Sequence, residues 1–232
     1  MRTQSWIALG LASLFTAHAL VTEAADLNHN TVSKRVLKET EKRFGPEAVA
    51  RILTWNKMID SNRNKPVAEK LKLVNDFFNR VPIKKEAEIW GHIHWSTPFE
   101  MLTRNAGSHA DHVIGKYVTL EAMDISVDQL QITHVHSSAM TDPTYMVLTY
   151  RSEPKAIPLV LDTVNGEIIS ADKRDDLFPE DSINDSGLWL SNIQKDGRPD
   201  AQEEAAGHIE LWNEMNNRMD QELLSADEIN PL

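Results

Sequence analysis

Gly107-Ser-His-Ala-Asp-His-Val-Ile-Gly-Lys-Tyr-Val-Thr-Leu-Glu-Ala-Met123 is the stretch around which the chain is organised. It reads as a turn followed by a helix. Ser108 has the side chain of an N-cap, an oxygen able to accept from the backbone of the first turn. Ile114, Tyr117 or Val118, and Glu121 or Ala122 recur at helical spacing, so one side can be buried. The helix opens with polar, titratable residues, His109, Asp111 and His112. Helix N-termini carry partial positive charge, and nucleophiles sit there because that field favours the anion.

Outward from this stretch, the composition sets bounds. A chain of 232 residues, 41% of them apolar, can fold as one domain with a real core. A formal net charge of -11 argues against general nucleic-acid binding. There is no cysteine, which removes disulfides, thiol chemistry and a lipid-attachment site together. Met1 to Ala25 reads as a signal peptide. Arg2 supplies the positive start, Trp6 to Phe15 a short apolar run, and Ala17-His18-Ala19 or Glu23-Ala24-Ala25 the small-residue cleavage site. The apolar run is shorter than the ~20 residues that span a bilayer, so cleavage is expected. Residues 26–232 are then one mature domain in the periplasm or outside the cell.

Along the mature chain, residues 31–80 read as three helices. Val32, Val36, Leu37 and Phe44 mark the first, and Gly45-Pro46 breaks it. Val49, Ile52, Leu53, Asn56 and Ile59 mark the second, and Leu71, Val74 and Phe78 the third. Val81 to Glu100 reads as an irregular connection. After the organising helix, Leu130–His136, Thr144–Arg151 and Pro158–Asp162 read as strands, with Asn165-Gly166 a two-residue hairpin signal. Asp172 to Asp200 is acidic and loop-like. Ala201 to Leu224 is a final helix with Ile209, Trp212, Met219 and Leu223 on one face. The expected fold class is α+β, a helical N-terminal lobe plus an antiparallel sheet packed on the helix beginning at 108.

Four segments carry a family resemblance: Ile89-Trp90-Gly91, Trp95-Ser-Thr-Pro-Phe-Glu-Met-Leu102, Gly107-Ser-His-Ala-Asp111 and Ile114-Gly-Lys-Tyr117. Together they resemble the bacterial transglutaminase-like cysteine peptidases of the LapG type, periplasmic enzymes that cut a surface adhesin. The resemblance runs from about Phe44 to about Asn184 and implies a papain- or transglutaminase-like fold. In that template a thiol at a helix N-terminus is activated by a His on a neighbouring strand, and an Asp on the next strand orients the His. The family's Cys falls on His109, its His on Tyr145 and its Asp on Asp162, so only Asp162 is retained. The family's calcium ligands flank the Cys; here those positions are Ser108, Ala110 and Asp111, and only Asp111 remains acidic. The resemblance therefore implies an exported pseudoenzyme, with the calcium site largely lost and no certain cofactor. Its implied partners are an inner-membrane cyclic di-GMP receptor of the LapD type or the adhesin N-terminal segment. Its implied role is regulation of adhesin processing and biofilm attachment.

Histidines give an alternative. Six of them form the pairs His92/His94, His109/His112 and His134/His136. A His-x-His on a strand puts both rings on one face, and a spacing of three does so on a helix. Gathered together, they would make a transition-metal site and the chain a metal-binding protein or metal-dependent hydrolase. No pair matches a zinc signature, and the competing reading is polar replacement along a solvent-facing cleft. A third reading, a peptidase of unusual chemistry, would need His109 as its nucleophile.

Overall fold

Three helices open the fold where the sequence stops predict them: α1 (Lys34–Phe44), α2 (Pro46–Asn62) and α3 (Val67–Phe78). The computed structural model describes Val32 and residues 34–138, 145–184, 187–190 and 201–227, so the expected signal peptide lies outside the described residues. Gly45 takes φ 84, a left-handed value that stops α1, and Pro46 starts α2. The buried stripe of α2 is Ala48, Ile52, Trp55 and Ile59, rotated from the expected one, and Leu53 is 48% exposed. The rotation turns Trp55 inward, where its indole N–H donates to Thr119 Oγ1 at 2.8 Å. On α3, Leu71, Val74 and Phe78 are buried as their spacing predicts.

The segment expected to be irregular contains two short helices, α4 (Glu86–Trp90) and α5 (Pro98–Arg104). A capping box starts α5. Thr97 Oγ1 accepts from Glu100 N at 3.1 Å, and Glu100 Oε2 accepts from Thr97 N at 3.0 Å. The Thr97-Pro98-Phe99-Glu100 signature was there to be read.

The organising helix is α6 (His109–Ala122), with Ser108 as its N-cap. It is buried on almost every side, from His109 through Tyr117 and again at Thr119 and Leu120. Gly115 is the point of closest approach to α3: a Cβ there would stand 2.4 Å from Phe78 Cε1. The opposite side of α6 packs on the sheet.

That sheet has six strands: β1 (Leu130–Ser137), β2 (Met146–Tyr150), β3 (Leu159–Leu161), β4 (Ile169–Ser170), β5 (Leu177–Asn184) and β6 (Gly187–Leu190). Their order is β4-β3-β2-β1-β5-β6, with every pair antiparallel. The first three lie where alternation predicts them. The β3–β4 hairpin forms, but not through a two-residue turn. Val160 pairs with Ile169, and within the wider loop Asn165 Oδ1 accepts from Glu167 N at 3.1 Å. Strands β5 and β6 lie in the run expected to be loop. Pro179, in β5, stands opposite Val135, beside a register shift between His134 and Val135. A proline has no N–H for the ladder, so an interior strand tolerates it at such an irregularity.

The last helix, α7 (Ala201–Asp227), buries Trp212 and Met215, and the Trp212 ring meets Tyr117 of α6 edge-on at 5.4 Å. Ile52, Phe78, Ile114, Leu148 and Trp212 all belong to one continuous core that joins lobe, sheet and last helix. Val135, Tyr145, Val147 and Val160 form a smaller cluster of their own. No helix among the described residues is long and apolar enough to cross a membrane.

Candidate functional site

The three positions onto which the resemblance carries the triad converge. His109 is the first residue of α6, Tyr145 directly precedes β2 and Asp162 directly follows β3. Pairing of Leu148 with Leu161 sets the start of β2 beside the end of β3. The His109 and Tyr145 rings lie 5.0 Å apart, edge to face. Tyr145 Oη donates to Asp162 Oδ1 at 2.6 Å, and Val164 N donates to the same oxygen at 2.9 Å. The other carboxylate oxygen, Oδ2, lies 2.9 Å from Arg174 Nη1 in a buried ion pair. Arg174 also donates through Nε and Nη2 to both oxygens of Asp176, each at 2.8 Å. His109 Nδ1 lies 2.6 Å from Thr163 Oγ1.

Charge follows from this geometry. Burial, followed by the hydrogen bond and negative charge of Asp162, raises the Tyr145 phenol well above its ordinary pKa. Tyr145 is thus a protonated donor at neutral pH. The backbone carbonyl of Asp162 is held as well, by Asn79 Nδ2 at 2.9 Å and Lys116 Nζ at 3.1 Å. Burial pushes the Lys116 ammonium down to about 7, against the opposing pull of Asp162. Asp162 is therefore fixed from α3, α6 and the turn carrying Arg174. Sequence reasoning missed Arg174, which follows Lys173 in an aspartate-rich run and has no spacing to tie it to Asp162.

Asp111 serves the backbone. Its Oδ1 accepts from Ser96 N at 2.6 Å and its Oδ2 from Ser108 N at 2.8 Å, while Ser108 Oγ accepts from Asp111 N at 3.3 Å. Burial raises its carboxyl to about 7 in spite of those donors. Calcium takes six to eight oxygens. At 108, 110 and 111 the chain offers a capping hydroxyl, a methyl group and a carboxylate already engaged at both oxygens. This set does not fit a calcium ion, and no calcium chemistry is derived from it.

The histidine pairs do not gather. His92 is exposed, and His94 lies 3.1 Å from Glu100 Oε2 and over the Trp90 ring at 4.0 Å. His112 has Nδ1 on Ser108 O at 2.7 Å and Nε2 on Val81 O at 2.9 Å, so neither nitrogen is left for a metal. Its role is to pin α6 to the end of α3. His134 is buried against His208 of α7, with the rings 5.0 Å apart, whereas His136, two residues on, pairs with the exposed Phe178 and is exposed itself. Among the described residues, one group of at least three ligating side chains does come together, and it was not foreseen: His134, Asp181 and His208. Asp181 lay in the run read as loop and His208 on a helix read as packing. No local spacing links them.

No protein-family model and no curated protein matches the chain. Solved structures do. LapG of Legionella pneumophila is 30% identical with a TM-score of 0.66, over 82% of this chain and 99% of that one. The calcium-bound form of Legionella pneumophila LapG is 33% identical with a TM-score of 0.61, over 70% of this chain and 90% of that one. The EGTA-treated form is 29% identical with a TM-score of 0.66, over 82% and 99%.

Proposed function

The chain belongs to the LapG family of transglutaminase-like cysteine peptidases, and on that premise we propose that it binds without cleaving. The observation that carries this reading is the 2.6 Å hydrogen bond from Tyr145 to Asp162. A triad works because the aspartate orients an imidazole that can accept a proton. Here the aspartate receives a phenol proton on one oxygen and faces a guanidinium on the other. The phenol, with its pKa raised, is no base at neutral pH. The chain has no thiol, and the residue at the nucleophile position is His109. An imidazolium is disfavoured at a helix N-terminus, and His109 Nδ1 faces the hydroxyl of Thr163 at 2.6 Å.

The proposed protein is exported by its signal peptide to the periplasm. There it engages either the adhesin's N-terminal segment or the inner-membrane cyclic di-GMP receptor of the LapD type. Bound to the adhesin, it shields the cleavage segment. Bound to the receptor, it displaces an active protease. Either action regulates adhesin processing and biofilm attachment.

The test combines cleavage with binding. The adhesin N-terminal segment is incubated, with calcium, with the wild type, with His109→Ala and with the restored pair His109→Cys plus Tyr145→His. Pull-downs with segment and receptor run alongside. The expected result is a silent wild type that retains one of the two partners. Cleavage by the wild type that disappears in His109→Ala overturns the non-catalytic reading, and absence of affinity for both partners overturns the binding role.

A further inference from the structure

His134 comes from β1, Asp181 from the neighbouring strand β5 and His208 from α7, and their ligand atoms all lie within 4.8 Å of one another. We propose that these three side chains form a zinc-class site, its fourth position left to water, that fastens the last helix to the sheet. Only His134 is shared with the histidine pairs that spacing singled out. The proposal stands independently of the function proposed above.

Distances favour a metal over a simple hydrogen-bond chain. His134 Nδ1 is 3.3 Å from Asp181 Oδ2, His208 Nδ1 is 3.3 Å from Asp181 Oδ1, and His134 Nδ1 is 3.4 Å from Glu180 Oε2. A charge-assisted N–H···O bond closes to about 2.7–2.9 Å. All three contacts are longer than that. Ligand atoms around a zinc with bonds of about 2.0–2.1 Å stand roughly 3.3–3.4 Å apart, and each imidazole has that spacing from one oxygen of Asp181, His134 from Oδ2 and His208 from Oδ1.

Donor chemistry and burial point the same way. Two imidazoles and a carboxylate suit zinc. The absence of sulfur disfavours cuprous copper, and too few oxygens converge for calcium or magnesium. The side chains of His134 and Asp181 are 4% and 5% exposed and that of His208 is 13% exposed, so the three ligands are withdrawn from solvent. The Trp95 ring stacks on His208 at 5.6 Å and orients it. Each imidazole that gives its Nδ1 lone pair to the metal carries its proton on Nε2.

The experiment uses the full mature chain without a polyhistidine tag, stripped with chelator and titrated calorimetrically with zinc chloride. Thermal unfolding is followed with and without zinc, and cobalt(II) reports geometry through its visible bands. The wild type and a control, His136→Gln, are expected to take one zinc, unfold at a higher temperature when loaded, and show the intense bands of tetrahedral cobalt. Asp181→Asn and His208→Gln should bind at least about a hundredfold more weakly and lose the thermal shift. His208→Gln guards against a folding artefact, because it leaves the contact between Asp181 and His134 in place. Failure of the wild type to bind zinc, or equal binding by a folded His208→Gln, overturns the site.

Discussion

Tyr145 stands where the family resemblance would put a base, and its phenol donates to Asp162. Tyr145→Phe should therefore lower stability by about 1–3 kcal/mol, the cost of leaving a buried acceptor short of a donor. Urea midpoints at neutral pH measure it. Lys116 gives a pH signature of known sign. Its folded pKa of about 7 lies below the ordinary 10.5, so between those values the unfolded chain binds a proton that the native chain lacks. The penalty is full below pH 7 and fades toward pH 10.5. Lys116→Met should stabilise the protein at about pH 6 by on the order of a few kcal/mol and give little at about pH 10. The Asp162 carbonyl keeps Asn79 as a donor in that variant. Unchanged urea midpoints at both pH values would contradict the buried-ammonium assignment. That His109, Tyr145 and Asp162 come together was legible through the family resemblance, which places each in a short run of residues. Arg174 and the pairing of Asp181 with His208 were not, because contacts between distant residues leave no local period.

Elements were legible where burial is one-sided and periodic. Helices α1 to α3, α6 and strands β1 to β3 announce themselves through apolar spacing and through Gly45, Pro46 and Ser108. Strand β5 did not. Its Leu-Phe-Pro-Glu-Asp-Ser-Ile-Asn sequence buries its last four residues in succession, so it shows no alternation, and its proline reads as a breaker. Two predictions belong at this scale. Gly115→Ala would drive a methyl into the ring of Phe78, itself fully buried, and should cost about 1–3 kcal/mol through overpacking between α3 and α6. Ser108→Ala removes one half of the capping box on α6 and should cost about 1 kcal/mol. Chemical denaturation of both variants reads the two effects, and Gly115→Ala at wild-type stability would mean that the two helices can separate without loss.

At the scale of the molecule, one core joins the helical lobe, the sheet and α7. Trp55 in the lobe and Trp212 in the last helix should report the same unfolding midpoint by fluorescence as far-ultraviolet circular dichroism does. Separate transitions would mean that lobe and sheet are stable apart. The clamp on Asp162 has a consequence for descent. A thiol arising by chance at position 109 would meet no imidazole at 145 and an aspartate already held by Arg174. Its codon also lies more than one base change away from that of the present histidine. A thiol introduced at position 109 alone is therefore expected to find the aspartate already engaged on both of its oxygens.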